Sequence, residues 1–164
     1  MSLLDKEAVK RAEKALKEFD QSLNIIVLDN SARTAKDAAS SLNCDVGAIV
    51  KSLLFKVEDF YILSLIAGDQ KCSLNKLKKI INKKEISMAS PKDVKIQTGY
   101  TIGGVSPVGH LNKIKILIDI SLKRFNQLYA AAGHPNCVFK IDFINLQKIT
   151  DGEIKELIEW DNQK

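Results

Sequence analysis

Cysteine, histidine and long apolar runs are scarce in this chain, and each scarcity excludes a class of protein. The three cysteines, Cys44, Cys72 and Cys137, are an odd number without close pairing. They argue against a disulfide framework and fit a reducing cytosol. The two histidines lie far apart, so no zinc-like cluster is expected. No apolar run approaches the ~20 residues that span a bilayer, and the acidic residues near the N-terminus do not fit a signal peptide. We therefore expect a cytoplasmic protein without a metal, another cofactor or a membrane partner.

The composition is that of an ordinary soluble protein, with 45% hydrophobic and 27% charged residues. A chain of 164 residues is long enough for one domain with a real core and hardly long enough for two. We see no internal repeat, low-complexity segment or linker. The sequence therefore predicts a single domain over residues 1–164.

The formal net charge of +5 is unevenly distributed. Between Asp69 and Glu85 the chain has six lysines and no acid. The lysines are Lys71, Lys76, Lys78, Lys79, Lys83 and Lys84. This segment is either a face that contacts phosphates or simply the solvated face of a helix. It has few aromatic residues on which bases could stack, so we do not expect it to read a nucleotide sequence.

Lys51 interrupts residues 48–55, an otherwise almost wholly apolar run typical of a buried strand. In a strand, Lys51 shares one side with Ile49 and Leu53, while Ser52 lies on the other side. A lysine in such a place is costly unless its ammonium group reaches water, an anion or a ligand. Either Lys51 lies at a strand end and extends its charge to the surface, or it belongs to a functional site that binds an anion or a ligand.

Periodicity and capping residues predict short helices that alternate irregularly with strands. Helices are expected over residues 5–19, with Ser2 and Asp5 as a capping box, over 34–42, from Ser73 onward, over 90–99, and as one or two short helices in 144–160. Strands are expected over residues 24–28, 48–57, 60–67, 114–120, 128–132 and 137–141. This order predicts an α+β fold with a mixed sheet.

Two further segments could carry chemistry. Residues 99–110 are rich in glycine and have no helical period, so they form either a long connection or a loop that points N–H groups at an oxygen. His134 lies between Gly133 and Pro135 in a predicted turn and is either exposed or a general base. His110 precedes a basic, exposed-looking segment and is more simply explained as an exposed residue, and Cys44 and Cys72 are more simply explained as small packing residues.

Taken together, these segments resemble the YbaK/ProX family of trans-acting aminoacyl-tRNA deacylases, which is related to the editing domain inserted in bacterial prolyl-tRNA synthetases. The resemblance covers roughly residues 24–148. Its motifs lie at residues 38–39, 49–55, 67–69, 98–110 and 131–139. It implies a mixed, barrel-like sheet flanked by short helices.

The resemblance also implies roles for particular residues. Lys51 would be the essential lysine, and Gly103 and Pro107 would bracket a Gly-x-x-x-Pro element that shapes the aminoacyl pocket. His134 falls where the synthetase editing domain has a functional histidine. Ser52 stands where relatives often have threonine or asparagine. The predicted site is then catalytic Lys51, Gly103, Gly104 and His134; substrate-binding Ser52, Tyr100, Val105, Ser106 and Pro107; and tRNA-backbone contacts at Lys71, Lys76, Lys78 and Lys79.

The implied substrate is a small amino acid, of the alanine or cysteine type, esterified to tRNA for proline. Such an ester is already activated, so its hydrolysis needs positioning and oxyanion stabilisation more than a strong nucleophile. Lys51 would neutralise the terminal phosphate, hold the ribose or assist the oxyanion, and either a water or the vicinal ribose hydroxyl would attack. The expected partners are aminoacyl-tRNA and prolyl-tRNA synthetase, not DNA. The alternatives are a non-catalytic module with the same fold that binds tRNA or a synthetase, and a regulator whose pocket senses a free amino acid or an aminoacyl-adenylate.

Overall fold

The computed structural model describes residues 2–29 and 34–159. Five α-helices occur within these residues: α1 (Glu7–Phe19), α2 (Ala35–Leu42), α3 (Leu74–Ile81), α4 (Pro91–Thr98) and α5 (Phe143–Thr150). Short 3₁₀ helices span Leu3–Asp5, Val46–Ala48 and Ile120–Arg124. The last residue of the predicted helical tail, Trp160, lies outside the described residues.

Helices α2, α3 and α4 begin at their predicted capping residues, and α2 and α4 also end where predicted. The side chains of Thr34, Ser73 and Ser90 each accept a hydrogen bond from a backbone N–H in the first turn of α2, α3 and α4. Asn43 and Asn82 end α2 and α3 in the left-handed conformation. Gly99 ends α4 in the same way, with φ of 82°.

In the described part of the chain, eight strands form one sheet: β1 (Ile25–Val27), β2 (Ile49–Val57), β3 (Phe60–Ala67), β4 (Ile86–Met88), β5 (Lys115–Asp119), β6 (Leu128–His134), β7 (Cys137–Ile141) and β8 (Glu153–Lys155). The order is β1-β7-β6-β2-β3-β5-β8, and β4 pairs with β2 outside this path. The β2–β6, β3–β5 and β5–β8 pairs are parallel, whereas the β2–β3 hairpin and the other pairs are antiparallel. The sheet curls into a half-barrel, which confirms the predicted α+β class with a mixed, barrel-like sheet.

Both faces of β2 are covered, as its composition predicts. Val50 and Leu54 belong to the main core, where α1 contributes Val9, Ala12 and Leu16. On the opposite side, Phe55 and Val57 pack with Leu77 of α3. Ile49 packs with Ala38 and Ala39 of α2. These contacts fix β2 between helices on two faces.

One edge of β2 changes partner along its length. Ile49 and Val50 pair with Tyr129 and Ala130 of β6, whereas Phe55–Val57 pair with β4. Residues 51–53 lie between these two pairings. They are paired with β3 on one edge, but on the edge toward β6 and β4 no described strand pairs with them. The sheet is therefore split beside Lys51 and Ser52.

Several sequence predictions were wrong in detail. The tail was expected to be helical, but β8 follows α5, because Asp151 in the left-handed conformation ends that helix. The strand β4 was not predicted, since three residues are too few to show a period. The helix α1 starts at Glu7 rather than Asp5, because Ser2 caps the separate 3₁₀ turn that precedes it.

The predicted turn at residues 133–136 is also shorter than expected. Gly133 and His134 are the last residues of β6, and a β-bulge lies between Ala131 and His134. The turn itself is therefore Pro135-Asn136, and His134 is held by the sheet rather than by a free loop.

Candidate active site at a split in the sheet

A cavity of about 380 Å³ opens where β2 separates from β6. Its lining comes from β2, β4, β6, β7, the start of α2, α4 and the glycine-rich loop. The lining residues are Thr34, Ala35, Ile49, Val50, Lys51, Ser52, Leu53, Leu54, Met88, Ala89, Val94, Ile102, Gly103, Val105, Tyr129, Ala130, Ala131 and Val138. The lining is mostly apolar with few polar groups, which is the usual character of a small-molecule pocket.

Ser52 brings polar groups to the split edge of β2. The Leu54 carbonyl accepts a hydrogen bond from Ala89 N at 3.0 Å, whereas the Ile49 carbonyl accepts one from Gly68 N on the β3 side. Since successive peptide groups point to opposite edges of a strand, the N–H and C=O of Ser52 face the gap. The Ser52 Oγ is buried and has no hydrogen-bond partner among the described residues. A buried polar atom of this kind is costly without a partner, so Ser52 is suited to receive a polar group of a ligand.

Lys51 lies in the cavity wall on the other face of β2. Its Nζ donates a hydrogen bond to the backbone carbonyl of Gln70. Partial burial lowers the pKa of Lys51 from the usual 10.5, and Lys71 adds to this decrease, while the Asp69 carboxylate opposes it. Asp69 is itself bound by Arg124, with 2.9 Å between Oδ1 and Nη2. The lysine is thus fixed by its neighbours and does not simply extend into solvent.

The glycine-rich loop supplies the wall opposite β2. Gly103, with φ of 91°, and Val105 line the cavity, whereas Gly104 lies behind them. The Gly104 N–H donates to Thr101 O at 2.9 Å, and Gly133 N donates to Gly104 O at 3.0 Å. A Cβ on Gly104 would come within 2.9 Å of the His134 backbone, so only glycine fits without displacement. Gly104 therefore docks the loop on β6, while the Gly103 N–H has no partner among the described residues.

Tyr100, Ser106 and Pro107 are buried residues of the loop that do not line the cavity. The Tyr100 hydroxyl donates to Val108 O at 2.8 Å, and burial raises the pKa of Tyr100 to about 12. The Ser106 Oγ accepts from Val108 N, and the Ser106 carbonyl lies 2.6 Å from Nε2 of His110. These contacts shape the loop from within, so any role of the three residues in binding is indirect in this arrangement.

His134 lies beside the loop but not in the cavity lining. Its Nδ1 accepts a hydrogen bond from Asn136 N at 3.0 Å, which leaves Nε2 as the nitrogen that bears a proton in the neutral ring. Burial, and secondarily Lys6, lower the pKa of His134 below 6.5. The imidazole is therefore mainly neutral at pH 7.

The lysines that were expected to contact tRNA are not equivalent. Lys71 is exposed near Lys51, whereas Nζ of Lys76 donates to Ile158 O at 2.5 Å and is already engaged. Lys78 and Lys79 line a second, open cleft on α3 together with Glu58, Asn82, Lys83 and Lys84. This cleft is separate from the cavity beside Lys51.

Within residues 2–29 and 34–159, no group of three or more metal-ligating side chains is positioned to hold a metal ion. In the same ranges, no helix has the length and apolarity that a bilayer crossing requires.

A family model for the aminoacyl-tRNA editing domain matches residues 29–149. The chain belongs to this family. The match includes the split in the sheet, Lys51, the glycine-rich loop and His134, and it confirms the resemblance inferred from the motifs.

Relatives of known sequence and structure agree with this assignment. An uncharacterised protein of Bacillus subtilis, YwhH, is 33% identical over 125 residues, which are 76% of this chain and 79% of that protein. The proline–tRNA ligase of Thermosipho melanesiensis is 28% identical over 84% of this chain, but the match spans only 23% of the ligase. A crystal structure of a protein to which a trans-editing role for prolyl-tRNA synthetase has been ascribed superposes with a TM-score of 0.89 at 32% identity, covering 94% of this chain and 99% of that one.

Several lining residues were missed in the sequence. Met88 ends the unpredicted strand β4 and Ala89 follows it, while Ile102 lies in the glycine-rich loop beside Gly103. Met88 and Ile102 are more than half exposed, at 56% and 60%, so they lie at the mouth of the cavity. In the sequence, Ile102 is only an apolar residue among glycines. Such a residue occurs both at the mouth of a pocket and in an ordinary loop, so it does not predict a pocket.

Proposed function

We propose that this protein is a deacylase that acts in trans on tRNA for proline and hydrolyses the ester of a small mischarged amino acid, alanine or cysteine. The observation that carries the proposal is the apolar cavity at the split edge of β2, with Lys51, Ser52 and Gly103 in its lining. Membership of the aminoacyl-tRNA editing domain family supports an ester of tRNA as the substrate. Relatives that are proline–tRNA ligases support the choice of tRNA.

The aminoacyl group would enter the cavity with its ammonium group toward Ser52. The Ser52 carbonyl and hydroxyl can both accept hydrogen bonds, and an ammonium group has three to donate. The small side chain would then contact the apolar lining around Val50, Leu54 and Val105. Partnering the buried Ser52 Oγ with the ligand would remove the cost of leaving it unsatisfied.

Hydrolysis would proceed by addition of water to the ester carbonyl. The Gly103 N–H is the group best placed to stabilise the oxyanion, since the Gly104 N–H is already bonded to Thr101. The bond between the carbonyl carbon and the ribose oxygen then breaks, and the proton lost by water ends on the ribose oxygen. Lys51 would hold the anionic or hydroxyl-bearing end of the terminal nucleotide.

In this mechanism His134 would donate a hydrogen bond from its Nε2–H to the substrate or to the attacking water, because its Nδ1 lone pair is already bonded to Asn136 N. The lowered pKa of His134 favours this neutral form of the ring. Because His134 lies outside the cavity lining, it would contact the reacting ester through a bridging water molecule, or directly where the substrate extends beyond the cavity.

The decisive experiment is a deacylation assay on tRNA for proline charged separately with alanine, cysteine, serine and proline. Wild-type protein and Lys51→Ala are compared, with Lys56→Ala as the matched control, because Lys56 is an exposed lysine of the same strand. We expect rapid release of alanine or cysteine by the wild type and by Lys56→Ala, and loss of that activity in Lys51→Ala. A methylene difference contributes only ~1–3 kcal/mol to selectivity, so partial release of a second small residue is also expected.

Release no faster than the spontaneous rate from all four substrates would overturn the proposal. If the protein still bound the charged tRNA under those conditions, a non-catalytic binding module would be the better interpretation. Equal activity of Lys51→Ala and wild type would remove Lys51 from the mechanism while leaving the deacylase activity in place.

A further inference from the structure

The first helix lies outside the part of the chain that the family model matches, yet it contacts the loop that forms one wall of the cavity. Helix α1 spans Glu7–Phe19, whereas the match begins at residue 29. It packs against β6, and its Val9, Ala12 and Leu16 are fully buried in the main core. A Cβ on Gly133 would come within 2.7 Å of the Ala8 backbone, which shows how closely helix and strand approach.

Arg11 of this helix binds both ends of the glycine-rich loop. Its Nε donates to Gly109 O at 2.8 Å, and its Nη2 donates to Gly99 O at 2.9 Å. The guanidinium group also lies over the ring of Tyr100, with 4.7 Å between Cζ and the ring centroid. One planar group therefore ties together two carbonyls that are ten positions apart in the chain.

Tyr100 and the two glycines at the ends of the loop also pack against Arg11 or against each other. The single O–H of Tyr100 is shared between Val108 O at 2.8 Å and Gly109 O at 3.2 Å, so Tyr100 and Arg11 both contact the Gly109 carbonyl. A Cβ on Gly99 would lie 2.3 Å from Arg11 Nη2, and one on Gly109 would lie 2.5 Å from the Tyr100 hydroxyl oxygen. Side chains at either glycine would thus displace the guanidinium or the phenol. Between these two fixed ends, Gly103 and Val105 face the cavity.

We propose that Arg11 is a positioning residue for the reaction, acting through the loop of residues 99–110. This inference rests on the proposed function, because it assumes that the loop wall meets the substrate. Arg11 itself does not line the cavity. Its two charge-assisted hydrogen bonds hold the ends of the loop at a set separation, which sets where the Gly103 N–H points.

The chemistry of the contact makes the inference specific to arginine. A lysine in its place has a single nitrogen and could not reach both carbonyls in the same fork geometry. Displacement of a catalytic group by about 1 Å can cost up to roughly a hundredfold in rate. Loosening the loop should therefore lower kcat more than it raises KM, since the β2 side of the cavity is untouched.

The test compares Arg11→Lys, Arg11→Met and Arg11→Ala with Lys14→Met, an exposed position on the same helix. Steady-state deacylation gives kcat and KM for each protein. Amide hydrogen exchange of peptides covering residues 99–110 reports on the loop without reference to activity. Millimolar guanidinium is added to Arg11→Ala, where it can occupy the vacated position, and to Lys51→Ala as the control for non-specific activation.

We expect Arg11→Met to lose about tenfold to a hundredfold in kcat with a small change in KM, and Arg11→Lys to lose less. Exchange in residues 99–110 should increase in both, while β2 stays protected. Guanidinium should restore part of the activity of Arg11→Ala and none of that of Lys51→Ala. Lys14→Met should match the wild type.

Unchanged kcat and unchanged loop exchange in Arg11→Met would overturn the inference. Uniformly faster exchange over the whole chain would also overturn it, because Arg11 would then stabilise the fold and not the loop. If the wild type proves inactive on every charged tRNA, the proposed function fails. The exchange data still decide whether Arg11 holds the loop.

Discussion

Lys51 illustrates how several neighbouring groups act on a single side chain. Its ammonium group bonds the Gln70 carbonyl, and its pKa reflects opposing influences: burial and Lys71 lower it, while Asp69 raises it. Because Asp69 is also held by Arg124, the acid cannot turn fully toward the lysine. The charge state of Lys51 therefore depends on a residue that does not line the cavity.

This dependence predicts a change in the pH profile of Asp69→Asn. If charged Lys51 is needed, kcat/KM falls as pH rises through the pKa of Lys51, which lies below 10.5. Removing the carboxylate that raises this pKa moves the fall to lower pH, and the unopposed charge of Arg124 acts in the same direction. The measurement is kcat/KM against pH, corrected for spontaneous ester hydrolysis. Asp59→Asn, in the β2–β3 turn, serves as the control, and an unshifted alkaline limb in Asp69→Asn would contradict the role of Asp69.

At the scale of elements, the cavity exists because β2 has two different neighbours on one edge. The parallel pair with β6 lasts for two residues, and the antiparallel pair with β4 begins five residues after the last of them. The peptide groups between the two pairings that face this edge have no ladder partner among the described strands, and it is there that we propose the substrate binds. Helix α3 supports this arrangement from the far face, since Leu77 packs with Phe55 and Val57 of β2 and with Ile86 of β4.

Mutation of α3 can separate the contribution of this packing to stability from any contribution to catalysis. Leu77 is fully buried, and Leu77→Ala should lower the free energy of unfolding by about 2–5 kcal/mol through reduced burial and a residual cavity. Leu74→Ala on the same helix, where the side chain is 40% exposed, should change it by no more than about 0.5 kcal/mol. Urea denaturation measures both. Well below the melting temperature, kcat should be retained in Leu77→Ala; a loss comparable to that of Lys51→Ala would place α3 in the site itself.

At the scale of the whole molecule, the positive charge is arranged on opposite faces. The cleft of Lys78, Lys79, Lys83 and Lys84 lies on the α3 side, whereas exposed Lys10 and Lys14 lie on α1, which covers the other face of β2 and β3. Lys83 is partly engaged by Glu58 at 3.9 Å, and Lys76 by a carbonyl. Lys78 and Lys79 are therefore the better candidates for phosphate contacts.

A comparison of two double variants tests this assignment. Lys78→Gln with Lys79→Gln should weaken binding of tRNA and reduce the slope of log K against log salt concentration by ~0.7–0.9 for each phosphate that the protein no longer neutralises. Lys10→Gln with Lys14→Gln removes the same charge from the opposite face and should leave the slope nearly unchanged. Filter binding over a range of salt concentrations gives both slopes. Equal slopes for the two variants would show that the α3 lysines are only a solvated face.

The sequence by itself determined what depends on local patterns. The caps at Thr34, Ser73 and Ser90 set three helix starts, because a side-chain oxygen satisfies an N–H that has no partner in the first turn. The continuous apolar character of β2 predicted a strand covered on both faces, and the spacing of Lys51, the glycine-rich loop and residues 131–139 identified the family.

Only the tertiary structure decided what depends on residues distant in the chain. The split between β6 and β4 and the bond from Arg11 to Gly99 depend on segments up to 88 positions apart. The burial of the Ser52 hydroxyl, without a partner among the described residues, follows from the same long-range packing. No local period encodes such contacts, because they arise from long-range pairing and packing. The same reason explains why β4 and β8 were missed: strands of three residues form through their partners and not through their own sequence.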